Sequence, residues 1–150
     1  MSNLFNEKLK KINMKLNKDL ILKLATSAVE AKNNSYSPYS KFRVGAALLC
    51  NNGEIIPGCN IENLSYSLTT CAERTAIFSA INSGKKIFSA IAITSDDKNF
   101  ITPCGACLQV ISEFAPKIKI ILVRPDGKIK LTSLLKLFPS PPDLKFLAKK

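Results

Sequence analysis

Histidine is missing from all 150 residues. Its absence excludes serine-histidine-aspartate triads, H-E-x-x-H metalloproteases and iron sites built on two histidines. Long apolar runs are missing as well. The richest stretch, Leu20 to Ala31, is interrupted by Lys23 and Glu30, far short of the roughly 18 apolar residues a membrane span needs. The N-terminal lysines precede no apolar stretch of the signal-peptide kind, so the expectation is a cytoplasmic chain without a membrane partner. Arginine is scarce: Arg43, Arg74 and Arg124 are three among 22 basic residues, whereas phosphate and base recognition favours the planar Arg fork.

What is present fits one globular domain. The length suits a single core, and 46% hydrophobic with 22% charged residues excludes disorder and fibrous architectures. The formal charge of +11 raises the question of an anionic partner. Its placement answers it: residues 1–18 carry net +4 and residues 145–150 net +3, leaving net +4 on residues 19–144. The expected organisation is a basic N-terminal extension (1–18), a domain (19–144) and a basic C-terminal tail (145–150), with no nucleic-acid partner. Five cysteines, an odd number, read as free thiols of a reducing compartment.

Leu20, Leu24 and Ala28, with Ile21, Ala25 and Val29 beside them, have helical spacing, and Asn17 is placed to cap that helix. Arg43 to Cys50 and Glu54 to Cys59 are short apolar runs around Asn51-Asn52-Gly53, a hairpin signature. Cys71 to Asn82 reads as a helix capped by Thr70 and closed by Gly84, and Ile87 to Thr94 as a strand covered on both faces. A helix from Gly105 to Phe114 follows, stopped by Pro116. The strands Ile118 to Val123 and Lys128 to Leu131 are joined too tightly for a crossover, so they should run antiparallel. A short helix from Thr132 to Phe138 ends the pattern. The order predicts an α/β fold: a three-layer α-β-α sandwich around one five-stranded mixed sheet.

Two phrases carry chemistry: Thr70-Cys71-Ala72-Glu73-Arg74 and Pro103-Cys104-Gly105-Ala106-Cys107. Each opens a predicted helix, where unpaired N–H groups and the helix dipole favour thiolate, the ligating form of cysteine. Cys71, Cys104 and Cys107 can form a three-sulfur face for one Zn²⁺ with an open fourth position, where water can bind and lose a proton near neutrality. Glu73, two residues after the first ligand, is placed to accept that proton. C-x-E with P-C-x-x-C is the deaminase signature in its three-cysteine form. Three thiolates make the centre anionic, which opposes hydroxide formation, and Arg74 is the candidate donor that offsets this charge. A redox C-x-x-C needs neither Cys71 nor Glu73. A structural zinc would need Cys50 or Cys59 as a fourth ligand, and both lie in apolar strands as expected core thiols.

With those phrases, Pro38 to Ala47 and Gly58 to Asn63 complete a pattern that resembles the small homotetrameric cytidine deaminases over about Leu20 to Leu144. The Asp126-Gly127 hairpin fits the free-nucleoside branch of that superfamily. The resemblance implies one zinc per subunit on Cys71, Cys104 and Cys107, proton transfer by Glu73, and a homotetramer. It also implies substrate contacts from Phe42 on the pyrimidine ring, from Asn60 and Glu62 on the ribose hydroxyls, and from Ile61 and Ala72. Amide and carboxylate two residues apart on an extended segment can reach one sugar; the alternatives are turn polarity for that pair and a core role for Phe42. Tyr66 is open between the site and a subunit contact.

The implied reaction is hydrolytic deamination of cytidine and 2′-deoxycytidine to uridine and 2′-deoxyuridine plus ammonia, a step of pyrimidine salvage. Alternatives are another cytosine nucleoside such as an antibiotic, or a zinc-stabilised nucleic-acid-binding module. Two departures stand out: Leu108 replaces the Arg common after the last zinc cysteine, and Ser140-Pro141-Pro142 follows Phe138-Pro139 where many members carry an aromatic. Either Phe138 or Phe146 substitutes, or that wall of the pocket is weaker.

Overall fold

The computed structural model describes residues 16–142. Expectations resting on residues 1–15 and 145–150, Phe146 included, lie outside the described residues. The elements are α1 (Lys18–Lys32), β1 (Val44–Cys50), β2 (Ile55–Cys59), a 3-10 turn (Tyr66–Leu68), α2 (Ala72–Asn82), β3 (Phe88–Ser95), α3 (Gly105–Phe114), β4 (Lys119–Val123), β5 (Ile129–Ser133) and α4 (Leu134–Leu137). The sheet runs β2-β1-β3-β4-β5. Only β3 and β4 pair in parallel, with α3 in the connection between them, while the other three pairings are antiparallel. The sequence order and the tight β4–β5 joint thus give the expected mixed sheet.

Strand alternation divides the core into two layers. Ala46, Leu48, Ile91, Ile93, Ile120 and Leu122 face α2, α3 and α4, whereas Ala47, Leu49, Ala90, Ala92, Ile121 and Val123 face α1. All seven residues of β1 are buried, which explains its unbroken apolar run: a central strand of a three-layer sandwich has no wet face. Asn17 caps α1 as expected, its side chain accepting from the Leu20 N–H at 2.8 Å. The stripe is narrower than the spacing predicts. Leu24, Ala25 and Ala28 are buried, but Val29 is exposed.

Small residues set how close the layers come. A Cβ on Gly45 would lie 2.0 Å from the Ala28 carbonyl oxygen, and one on Gly58 would lie 2.4 Å from that of Ala72. Glycine in β1 and β2 is therefore a condition for seating α1 and α2 on the sheet. Gly58 matters more for the site, because it fixes the first turn of α2. That first turn is not capped by Thr70. Cys71 occupies the N-cap position, and the Thr70 backbone pairs with Ile61 instead. A second expectation is also revised: Cys50 is buried but Cys59 is half-buried, its thiol donating to the Asn34 carbonyl at 3.3 Å.

Candidate active site

Cys71 and Cys104 are the N-cap residues of α2 and α3, and neither side chain makes a capping hydrogen bond to its own helix. An N-cap side chain normally turns inward to satisfy a free N–H. Here the two sulfurs face each other at 3.8 Å. Cys107, one turn into α3 and on the same side as Cys104, brings in the third, and all three Sγ atoms lie within 4.8 Å of one another. Zn–S bonds of about 2.3 Å at tetrahedral angles require sulfurs about 3.8 Å apart, so the donor set fits zinc. The cluster grades from the exposed Cys104 to the buried Cys107, leaving one side open.

The thiols share charge unevenly. Cys71 is drawn down to about 5, first by the hydrogen bond with Cys107 and further by Arg74 and Cys104. Cys107 is pushed up, because it donates to Cys71 and is buried beside Glu73. The Arg74 Nη2 lies 3.6 Å from the Cys71 sulfur and donates to the Thr69 carbonyl at 3.2 Å. The expected cationic partner of the thiolates is thus in contact with one of them. Its Nε is buried without a partner.

Glu73 is the one acidic side chain that is buried in the described core, at 4% exposure. Burial is the main cause that raises its carboxyl to about 7, reinforced by the negative charge of Cys71 and opposed by its own backbone N–H and by Cys107. A carboxyl with that affinity both takes and returns a proton near neutrality. It stands outside the cluster of mutually close ligand atoms, beside the sulfurs rather than among them.

Beyond the sulfurs, Asn60 and Glu62 organise the segment before β1. The buried Asn60 accepts from the Val44 N–H at 2.8 Å and donates to the Phe42 carbonyl at 2.8 Å, and it also accepts from Ser35. The Glu62 carboxylate accepts from the N–H groups of Tyr39 (2.9 Å) and Ser40 (3.2 Å) and from the Ser40 hydroxyl. Those bonds, the Ser40 hydroxyl first, hold its carboxyl below the usual range. Glu62 lines a cavity of about 330 Å³ with Tyr39, Ser40, Tyr66 and Thr69, within the range of small-molecule sites. Tyr39 and Tyr66 meet edge to face there, with centroids 5.9 Å apart. Phe42 is 37% exposed, which disposes of a core role for it. Ala72 is fully buried, while Ile61 is exposed with its backbone paired to Tyr36 and Thr70 on either side.

A family model described as the cytidine and deoxycytidylate deaminase zinc-binding region matches residues 19–123. The chain belongs to that family. It is 46% identical to a cytidine deaminase of Sporosarcina psychrophila over 131 residues, 85% of this chain and 96% of the relative. A crystal structure of cytidine deaminase from Burkholderia pseudomallei superposes with a TM-score of 0.79 at 41% identity, covering 85% of this chain and all of the other. A blasticidin-S deaminase of Bacillus cereus is 36% identical over 108 residues, 67% of this chain and 76% of that protein. The zinc that this family implies is the ion the three sulfurs fit.

Some side chains of this deaminase that brace the site were not found in its sequence. Asp96 accepts from Arg43 (2.8 and 3.1 Å) and pairs with the buried Lys32 at 2.9 Å. It thereby ties the end of α1, the entry to β1 and the exit of β3 beside Phe42. Ser40, quoted only as part of a phrase, touches both Glu62 and the Phe42 backbone. Neither gives a local signal, since the Asp96 partners are 53 and 64 residues away and a lone serine is uninformative. Phe138 packs on the core beside α2 and α3, and Leu108 lies buried in the same layer.

Proposed function

We infer that this chain is a zinc-dependent cytidine deaminase, converting cytidine and water into uridine and ammonia. The observation that carries the reading is the three-sulfur cluster with buried Glu73 beside it and none of the sulfurs used for capping. Zinc bound there would supply a Lewis acid that lowers the pKa of a water molecule and makes it nucleophilic at neutral pH.

Glu73 does the proton work. It removes a proton from the attacking water and delivers it to N3 of the cytosine ring, which makes C4 electrophilic. Oxygen adds at C4; Glu73 then carries the second proton to the amino group, and the C4–N bond breaks with ammonia as leaving group. Burial serves this role twice, by keeping bulk water from the carboxyl and by matching its proton affinity to the operating pH.

Phe42 is half-exposed and free to stack on the ring, and Glu62 retains an acceptor position for a sugar hydroxyl. Asn60 braces the Phe42–Val44 backbone with its amide and leaves one N–H for the ribose. The exposed Ile61 borders the site, and the fully buried Ala72 supports it from the core. The exposed apolar side chains of Leu64, Tyr66 and Leu68 fit burial between copies, in keeping with a homotetramer. Free thiols suit a reducing cytoplasm, and the reaction suits nucleoside salvage. Among the described residues no helix is long and apolar enough to cross a membrane.

Zinc-loaded protein incubated with cytidine, 2′-deoxycytidine, blasticidin S and single-stranded DNA tests the reading through ultraviolet change and ammonia release. Turnover of the free pyrimidine nucleosides is expected. No change with either of them would overturn it, and blasticidin S as the sole substrate would move the assignment to the antibiotic-directed branch.

A further inference from the structure

We propose that Ser40 is a positioning residue, whose hydroxyl aims the Glu62 carboxylate at the substrate's sugar. The proposal rests on the reading of Glu62 as a sugar contact. One oxygen makes both bonds that matter: Ser40 Oγ donates to Glu62 Oε1 and accepts from the Phe42 N–H at 3.0 Å. Because the Phe42 N–H occupies a lone pair of that oxygen, the hydroxyl proton is left to point at Glu62. Successive bonds of this kind reinforce each other.

The backbone is arranged to make this possible. Lys41, between the two partners, has φ of 58°, a left-handed conformation uncommon for a residue with a side chain and costing about 1–2 kcal/mol. That turn brings the Phe42 N–H back over Ser40, and the Lys41 N–H is held by the Ser37 carbonyl at 3.1 Å. Ser40 itself is exposed. Its hydroxyl therefore contributes nothing to core packing.

The consequence for Glu62 is a fixed orientation. An ionised carboxylate offers about four acceptor positions. Tyr39 N–H, Ser40 N–H and the Ser40 hydroxyl fill three of them, which leaves one for a sugar hydroxyl in the cavity that Ser40 and Glu62 both line. Without the hydroxyl, Oε1 loses its only protein donor among the described residues and the carboxylate can turn towards water.

The test compares KM and kcat for cytidine and for 2′,3′-dideoxycytidine in Ser40→Ala and Ser40→Thr, with zinc content and melting temperature measured for each. Ser40→Ala should raise KM for cytidine about tenfold with kcat within about threefold, and raise KM for the dideoxynucleoside by no more than about twofold. Ser40→Thr, which keeps the hydroxyl, should restore the wild-type values. Ser40→Cys, of similar size but a weaker donor, replaces alanine if that variant is unstable, and should fall between. An unchanged KM for cytidine, an equal rise for both nucleosides, or a threonine variant as impaired as alanine would overturn the proposal. A wild-type protein that left cytidine untouched would overturn the functional reading and the proposal with it.

Discussion

Arg74 Nη2 stands 3.6 Å from Cys71 Sγ, one helical turn along α2. The contact raises the guanidinium's own proton affinity and lowers that of the thiol. Three thiolates on a divalent ion would leave net negative charge, and Arg74 is the one cationic side chain hydrogen-bonded to a sulfur among the described residues. Arg74→Ala should weaken zinc binding about 10- to 100-fold in chelator competition. Unchanged affinity would remove Arg74 from the metal centre.

Glu73 makes the stability of the metal-free protein fall with rising pH. Its carboxyl is raised from 4.5 to about 7, chiefly by burial, so between those values the unfolded chain holds fewer protons than the folded one. The stabilising margin is present below about pH 4.5 and gone above about pH 7. Glu73→Gln removes the penalty. Metal-free variant should melt several °C above metal-free wild type at pH 8, with a much smaller gap at pH 5. A gap independent of pH would contradict the buried carboxyl.

Gly58 carries the approach of β2 to α2. A methyl group there meets the Ala72 carbonyl oxygen at 2.4 Å and the Ala76 nitrogen at 2.5 Å, backbone atoms that cannot rotate aside. Gly58→Ala should cost about 3 kcal/mol and, by shifting the first turn of α2, should also weaken zinc binding. Thermal melts with and without zinc check both effects.

Asp96 holds Lys32 and Arg43 together, and Arg43 above all draws its carboxyl down to about 2. The group contributes stability fully above the unfolded value of about 3.8, and loses it as pH falls towards 2. Asp96→Ala leaves the buried Lys32 without its carboxylate and should cost roughly 2–4 kcal/mol. Acid titration of both proteins should show the wild-type advantage shrinking below about pH 4 and vanishing only at about pH 2 and below.

The fold was largely legible because its signals are local. Asn17, the apolar runs of β1 and β3, the Asn51-Asn52-Gly53 turn and the short β4–β5 joint each act within a few residues. The three sulfurs were legible as two local phrases, C-x-E and C-x-x-C, each at a helix start, although only the fold brings the two helix starts together. Thr70 does not cap α2, because Cys71 takes the N-cap position with its sulfur turned to Cys104, an arrangement that no local capping rule signals. The Lys32–Arg43–Asp96 clamp and the Ser40 bridge were hidden because they depend on residues brought together only by the sheet and by the turn at Lys41.

The central claim, that three cysteines hold zinc while Glu73 moves the protons, is tested most directly by zinc stoichiometry and cytidine turnover measured side by side on Glu73→Gln. The account predicts about one zinc per chain and a fall in kcat of at least two to four orders of magnitude. A variant that keeps zinc and still deaminates cytidine at near wild-type rate would contradict it.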